Sequence, residues 1–476
     1  MHQALLVPEI LLEIFAYVNT KPSTSTQKLL AALARTCKIF HEPAMDLLWT
    51  EIHGGTRLQS DERIFWAKGV KPLSAHEARQ FLRHSSRIRT LNIRGAHSHL
   101  LSIIPAEACV FPRLRSLSLS TAYLNLFLPH TFHQCHLLTV DEGLKSFVTR
   151  CIALEHLYIY TDFFYNSTSQ RSLLSDRIRW CTRLVTLSCP TLDLATWKHL
   201  SCLPTLLKLE IDQSRWYGDP PSPSEQDIMN ISPFLNITTL SFGRLFYVVD
   251  IIMVMQHSQF PSLKEFRFEA DHLSSEEAEE LFHALSRCKA CRTLEEIIIC
   301  SPDDCGLAPI NNEPLKSIPH FLCFTQLRTL RLMFCNPYIY LDNDILLQAM
   351  SSWPHIRTLE INYLDGHLSS SEVSLHGLFT ALSLCPQLHT LRIPINIPNI
   401  DVYPDAEPIQ HTSLRTLELL DISQSQIEDA ETLARIISAW LPCVDEVESM
   451  DGSWDEVNKH LKSSTAATAL YVAGAS

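Results

Sequence analysis

Glycine is scarce in this sequence, at 12 of 476 residues, far below the average of about 7%. The scarcity excludes collagen-like and flexible low-complexity chains and argues against glycine-rich phosphate loops. Charged residues are also few, at 19%, and 52 acidic residues outnumber 39 basic ones, which gives a net charge of −13. An acidic chain lacks the basic surface of a nucleic-acid-binding protein, so we expect no nucleic-acid partner.

Long hydrophobic runs and a signal peptide are missing as well. Met1–Val7 contains no Lys or Arg, and Pro8 and Glu9 interrupt the apolar run. The longest later apolar stretch, Leu245–Met255, contains Asp250 and is too short to span a bilayer. The fifteen cysteines lack the density of a disulfide framework. We therefore expect no membrane partner, reduced thiols, and a location in the cytoplasm, the nucleus or both.

Motifs for catalysis or metal binding are absent too. The sequence has no Walker A loop, GxGxxG, HExxH or GxSxG motif. Cys288-x-x-Cys291, followed by Cys300 and Cys305, is the arrangement nearest to a zinc site, but its second spacing is C-x4-C and the intervening segment is short. Core cysteines are the favoured interpretation. We expect a chain that is not an enzyme and that holds no cofactor and no metal.

The main signal that is present is an internal repeat. The pattern apolar-x-x-apolar-x-apolar, as in Leu114-Arg-Ser-Leu117-Ser-Leu119, recurs with a mean step of about 30 residues. Its twelve copies begin at Ile88, Leu114, Leu154, Leu184, Leu206, Ile237, Leu263, Leu294, Leu327, Ile356, Leu388 and Leu414, and a weak further copy begins at Val444. Alternation with period two predicts a short strand in each copy.

Helical patterns occupy the segments between these strands. Ser274-x-x-Glu277 is a capping box, and an apolar stripe of helical spacing follows it. The three clearest stripes are Ala278, Leu281, Phe282, Leu285; Leu375, Leu378, Phe379, Leu382; and Leu433, Ile436, Ile437, Trp440. One strand–helix unit cannot bury its own apolar face, whereas a stack of them can. The sequence therefore predicts an α/β solenoid.

The residues that alternate with the buried positions form the exposed face of the predicted sheet. Repeat proteins bind partners on such a surface. The candidate target-binding residues are His156, Tyr158, Tyr160, Glu210, Asp212, Arg267, Glu269 and Arg331. For any one of them the alternative is an ordinary solvated strand residue, since few residues carry the energy of a contact.

The repeats resemble the leucine-rich-repeat family, and the resemblance covers about residues 75–450. The family's ladder residue, Asn or Cys, is met at Cys335 and Asn396. The resemblance implies a right-handed α/β solenoid with a curved parallel sheet of about twelve repeats.

Residues 5–52 have a different pattern that predicts three short helices. Pro8 and Glu9 suit the first turn of a helix, the polar stretch Asn19–Lys28 ends it, and a second helix begins at Leu29. A third helix is expected over Pro43–Trp49. So short a segment cannot form a self-sufficient core, so we expect part of its apolar surface to be buried against a partner or the repeats.

Three motifs in this segment resemble an F-box, as in fungal F-box proteins with irregular leucine-rich repeats. They are Val7-Pro8-Glu9-Ile10-Leu11-x-Glu13-Ile14-Phe15, Leu33-Ala34-x-Thr36-Cys37-Lys38-x-Phe40 and Leu47-Leu48-Trp49. The resemblance implies that the box docks on a Skp-type adaptor and, through it, on a cullin. The implied adaptor-binding residues are Val7, Pro8, Ile10, Leu11, Ile14, Leu33 and Cys37.

The domain organisation that follows is a box at 5–52, a linker at 53–74, repeats at 75–450 and a partly mobile tail at 451–476. The resemblance implies a non-catalytic substrate-recognition subunit of an SCF (Skp–cullin–F-box) ubiquitin ligase, whose repeats bind a target protein. The alternative is a leucine-rich-repeat interaction scaffold without a ligase role, in which the N-terminal helices cap the solenoid.

Overall fold

A computed structural model describes most of the chain. The described residues are 8–18, 24–54, 74–93, 111–119, 133–137, 153–159, 168–212, 231–302, 314–334, 339–363, 371–396, 400, 402, 410–421, 427, 429–448 and 454–463. The chain divides into two compact units, residues 1–199 and 200–476. Among the described helices, none combines the length and the apolar character needed to cross a membrane.

Three helices open the first unit: α1 (Pro8–Val18), α2 (Thr24–Thr36) and α3 (Lys38–Thr50). Their apolar faces meet in a small core of Leu11, Phe15, Leu30, Ala34 and Ala44. Partly buried side chains that include Leu33, Phe40, Leu47 and Leu48 pack against this core. The three helices predicted from the sequence are therefore present.

The bounds of α2 and α3 differ from the predicted ones. Helix α2 begins at Thr24, inside the polar stretch expected to be a break, because Ser and Thr are acceptable residues near a helix start. Helix α3 begins at Lys38, five residues before the predicted start at Pro43, so that Pro43 lies inside it. Proline removes one helical hydrogen bond and its ring crowds the carbonyl four residues before it, which can kink a helix without ending it.

The first unit continues as a parallel sheet whose strands follow in chain order. Its described strands are β1 (Glu51–Gly54), β2 (Thr90–Ile93), β3 (Ser116–Leu119), β4 (Gln134–Leu137), β5 (His156–Ile159) and β6 (Thr186–Cys189). Its helices are α4 (Ala75–His84), α5 (Thr168–Ile178) and α6 (Leu194–Ser201), and a 3-10 turn spans Ser85–Arg87.

The second unit has the same construction, and its described strands other than β15 are longer. Its described strands are β7 (Lys208–Asp212), β8 (Thr239–Leu245), β9 (Glu265–Ala270), β10 (Glu296–Ser301), β11 (Thr329–Phe334), β12 (Thr358–Tyr363), β13 (Thr390–Ile395), β14 (Thr416–Asp421) and β15 (Val447–Glu448). Its helices are α7 (Val249–His257), α8 (Ser275–Ser286), α9 (Ile318–Phe321), α10 (Asn343–Ser352), α11 (Leu375–Leu382), α12 (Ala430–Trp440) and α13 (455–463).

The structure confirms the predicted α/β repeat fold, in which parallel strands alternate with helices along the chain. Every one of the twelve sequence copies supplies a strand, and the weak copy at Val444 supplies β15. The capping box at Ser274 and Glu277 is formed. The three predicted helical stripes are buried except for Trp440, which is half-buried and stacks on Phe379 at 4.7 Å.

Two of the described strands were not among the predicted copies. Strand β4 lies within the 40-residue step between the copies at Leu114 and Leu154, and its buried residues are Cys135 and Leu137. Strand β1 pairs in parallel with β2 and crosses the predicted end of the box at residue 52. A single apolar residue, Ile52, gives β1 no period of its own, so its pairing depends on the sheet beside it.

Some sequence predictions lie outside the described residues. These are Val7, Tyr160, Cys305, Cys335, most of the linker at 53–74 and the end of the tail at 464–476. Residues 454–463 of the tail are described and contain α13, in which Val457 and Leu461 are buried, as is Trp454 immediately before it.

Candidate functional site

Helix α1 presents an exposed apolar surface, here called the α1 stripe, that consists of Ile10, Ile14 and Tyr17. These side chains are 40%, 41% and 81% exposed. Their spacing of four and three residues places them on one face of the helix. Exposed apolar side chains at three consecutive positions of one helix face are typical of an interaction surface.

The opposite side of α1 holds the three helices together. Leu11 is 1% exposed, and the Phe15 ring meets the Phe40 ring edge-on, with centroids 5.6 Å apart. Of the residues assigned to adaptor binding, Ile10 and Ile14 therefore lie at the surface, whereas Leu11 lies in the core.

The other described members of the predicted adaptor-binding set lie on α2 and at the start of α3. Leu33 is partly buried and packs against the helical core. Cys37 is half-buried and precedes α3 with extended backbone, and its carbonyl accepts a hydrogen bond from the His41 N–H at 3.2 Å. The side chain of Pro8 is not among the described ones.

Two contacts fasten the three helices to the repeats of the first unit. The Arg87 guanidinium donates hydrogen bonds to the carboxylates of Glu42 and Asp46 on α3. The Trp49 ring stacks on His84, with centroids 4.5 Å apart and an interplanar angle of 13°. Together with the β1–β2 pairing, these contacts make the helices an integral end of the sheet.

In the second unit, four of the predicted target-binding residues line one hollow of about 360 Å³ over strands β7–β10. They are Glu210, Asp212, Arg267 and Glu269. The register places Glu210 beside Ser241 and Ser241 beside Arg267, which brings these side chains to one face. The hollow carries acidic and basic groups together, a surface suited to polar contacts with a protein segment.

A β-bulge in β8 shapes this hollow and was not predicted. The register shifts between Phe242 and Leu245, and Arg244 has a left-handed φ of 48°. The Arg244 Nη2 donates to Asp212 Oδ2 at 2.8 Å, and this hydrogen bond raises the pKa of Arg244. The signal in the sequence is Gly243, since an isolated glycine within a strand pattern indicates a bulge.

Ion pairs connect neighbouring strands along the same face. Arg267 Nη2 lies 2.7 Å from Glu296 Oε1, and Arg331 Nε lies 3.3 Å from Glu360 Oε2. Further along, Arg392 Nε lies 2.5 Å from Glu418 Oε2. Burial raises the pKa of Glu418, and Arg392 opposes that shift. Arg331, one of the predicted target-binding residues, is therefore paired with Glu360 on the neighbouring strand.

The remaining described candidates, His156 and Tyr158, lie in the first unit. The Tyr158 ring stacks on His136 of the neighbouring strand, with centroids 4.4 Å apart. His156 lines a different hollow, which belongs to the first unit, has a volume of about 780 Å³ and lies at the amino-terminal ends of strands β2–β5. The predicted target-binding residues thus do not form one cluster.

Thiol chemistry is suppressed where cysteines are buried. Burial raises the pKa of Cys300, at the edge of the second-unit hollow, to about 11, and that of Cys288 to about 12. A protonated thiol is a poor nucleophile and a poor metal ligand. In the described parts of the chain, no three His, Cys, Asp or Glu side chains come together to hold a metal ion.

No protein-family model matches the chain, and no curated protein matches it. Solved structures show distant similarity. A protein from Bacteroides fragilis is 12% identical over 62% of this chain and 68% of its own, with a TM-score of 0.29. A chain of the complex of Rad7 and Elc1 from yeast is 12% identical over 93% of this chain and 88% of its own, with a TM-score of 0.30. A third structure is the leucine-rich-repeat ectodomain of the Arabidopsis thaliana receptor kinase GASSHO1/SCHENGEN3 in complex with CASPARIAN STRIP INTEGRITY FACTOR 2. It is 11% identical over 79% of this chain and 52% of its own, with a TM-score of 0.31.

Proposed function

We propose that the chain is a non-catalytic substrate-recognition subunit of an SCF ubiquitin ligase. In this role the three N-terminal helices dock on a Skp-type adaptor, the adaptor links the chain to a cullin, and the repeats bind a target protein. The contribution of the chain is proximity, because a bound target sees a high effective concentration of the ubiquitin-charged enzyme.

The observation that carries the proposal is the α1 stripe. Ile14 is 41% exposed although Leu11 and Phe15, its neighbours on the same helix, already fill the core. A helix that served only as a cap would require the buried face alone. An amphipathic helix with a second apolar face is a common way to dock into a partner's groove.

The repeat surface supports the target-binding half of the proposal. The second-unit hollow combines Glu210, Asp212 and Glu269 with Arg244 and Arg267 on adjacent strands. Mixed charges held by a rigid sheet give a partner-specific pattern of attraction and repulsion. The expected target segment carries charges of both signs.

The test is co-purification of the full chain with a co-expressed Skp-type adaptor. The variant Ile14→Asp places a charge in the α1 stripe and should abolish 1:1 co-purification. The control is Leu384→Asp in the second unit, because Leu384 is equally exposed at 41% and equally apolar. Full binding by the Ile14 variant, or equal loss with the control, would rule out docking through the stripe.

A second candidate function is favoured by the way the helices join the repeats. Strand β1 follows α3 directly and pairs with β2, and Arg87 holds Glu42 and Asp46. This arrangement suits a cap on an interaction scaffold without a ligase role. A scaffold would bind its partner through the repeats and bring no cullin, so probing the purified complexes for a cullin separates the two functions.

A further inference from the structure

The hollow of the first unit that His156 lines lies at the amino-terminal edge of the sheet. Its volume is about 780 Å³, and its lining residues are Arg89, Pro112, Arg113, Arg115, His133, Gln134, Glu155 and His156. A volume of this size is typical of sites for small organic ligands or short peptide segments.

The strand ladder fixes the positions of the lining residues. Arg89 and Arg115 immediately precede β2 and β3, and the Arg115 N–H donates to the Arg89 carbonyl at 2.8 Å. The next strand repeats the arrangement, since the Gln134 N–H donates to the Arg115 carbonyl at 3.0 Å. The charged side chains therefore project from a regular backbone at one edge of the sheet.

The charge in this hollow is strongly positive. It contains the guanidinium groups of Arg89, Arg113 and Arg115, and within the described part of the chain none of the three has an ion-pair partner. Glu155 is the single carboxylate in the lining, and it lies 3.5 Å from His133 Nδ1. By contrast, the nearby Arg87 is paired with two carboxylates.

The overall charge of the chain conceals this feature because the two units differ in sign. Residues 1–199 carry 22 Lys and Arg against 15 Asp and Glu, whereas residues 200–476 carry 17 against 37. A net charge of −13 for the whole chain is thus the sum of a basic first unit and a strongly acidic second one. Taken by itself, the net positive charge of the first unit attracts anions.

We propose that this hollow is a binding site for a phosphate-bearing ligand, held by the guanidinium groups of Arg89, Arg113 and Arg115. A guanidinium donates two parallel hydrogen bonds to phosphate oxygens, and the near-double charge of a phosphate ester can be shared among several arginines. Glu155, the single carboxylate of the lining, leaves most of the positive charge of the three arginines uncompensated. The rest of the hollow accommodates the group that carries the phosphate.

The phosphate can belong to a small molecule or to a phosphorylated side chain of a partner protein, and two probes separate these sources. Pyrophosphate, titrated into the full chain by calorimetry, tests the small-molecule source. A fluorescent phosphoserine peptide, followed by anisotropy beside its serine and glutamate versions, tests the protein source. Binding of either probe supports the site if it depends on the arginines.

The arginine dependence is tested with the double variant Arg89→Gln/Arg115→Gln. Because both residues are exposed, the variant should melt like the unmodified chain, which circular dichroism would verify. We expect a dissociation constant at least tenfold higher in the variant. The matched control is Arg183→Gln, because Arg183 stands before Leu184 as Arg113 stands before Leu114 but lies outside the hollow. The control should bind as the unmodified chain does.

Four results would overturn the proposal. They are no binding of either probe, equal loss in the Arg183 control, equal affinity for the glutamate peptide, and preferential binding of single-stranded oligonucleotides with affinity that grows with their length. The last result would indicate a nucleic-acid-binding surface, because such a surface follows the phosphate backbone of the nucleic acid over a length that one confined hollow does not provide.

Discussion

The side-chain amide of Asn458 closes the edge of strand β15 by forming hydrogen bonds with both the N–H and the carbonyl of Val447. Its Oδ1 accepts the Val447 N–H at 2.9 Å, and its Nδ2 donates to the Val447 carbonyl at 2.9 Å. An amide side chain offers the same donor and acceptor as the peptide unit of a further strand. Helix α13 therefore protects an edge that would otherwise invite pairing with another chain.

The variant Asn458→Ala should lower the free energy of unfolding by about 1–3 kcal/mol, because a donor and an acceptor would be left without partners in a buried place. Urea unfolding of the full chain measures the effect. The control is Asn236→Ala, which removes one exposed hydrogen bond, to the Pro204 carbonyl, and should change stability by no more than about 0.5 kcal/mol. Equal effects of the two variants would contradict the capping role.

The two faces of α1 should respond differently to truncation. Leu11→Ala creates a cavity in the helical core and should cost about 2–5 kcal/mol, whereas Ile14→Ala removes an exposed side chain and should cost no more than about 0.5 kcal/mol. Protection of the N-terminal helices from a protease reports their local stability. A larger loss of protection for Ile14→Ala than for Leu11→Ala would mean that the burial of α1 has been assigned to the wrong face.

Much of the fold was predictable because the same pattern of buried apolar residues recurs in each repeat. Each strand buries alternate apolar residues, and each helix buries one stripe, so both periods are visible in the sequence. Strand β4 was not predicted, because Cys135 stands where the other copies have a larger apolar residue. The unusual step of 40 residues was the available sign that a copy lay between Leu114 and Leu154.

The candidate sites were less predictable because they depend on register and packing. Alternation identified Glu210, Asp212, Arg267 and Glu269 as outward residues, but only the strand register brings them to one hollow. Helical periodicity separated Ile14 from Leu11, but the packing of α2 and α3 decides which face is buried.

Acid should weaken the contact between Arg87 and α3. The hydrogen bond from Arg87 lowers the pKa of Glu42 below its ordinary value of 4.5, so the folded state favours the ionised carboxylate. Its contribution is therefore fully present above pH 4.5 and is lost as the pH falls through the lowered pKa. The melting temperatures of the unmodified chain and of Glu42→Gln should differ at neutral pH and converge in acid. A gap that widened on acidification would refute the pairing.

Alkylation should distinguish the exposed cysteine from the buried ones. Cys202 is exposed, whereas burial raises the pKa of Cys385 to about 12. At mildly alkaline pH, iodoacetamide should therefore label Cys202 in the native chain and leave Cys385 unmodified, as mass spectrometry of the peptides would show. In urea both should be labelled, which serves as the control for detection. Rapid native labelling of Cys385 would contradict its burial.

The bulge in β8 should prefer glycine to alanine at position 244. A φ of 48° is unfavourable for a residue with a Cβ atom, by about 1–2 kcal/mol. Both Arg244→Gly and Arg244→Ala remove the ion pair with Asp212, so the comparison between them isolates the backbone. We expect the glycine variant to unfold at a higher urea concentration, with a difference of about 1 kcal/mol. A more stable alanine variant would show that residue 244 does not hold the left-handed conformation.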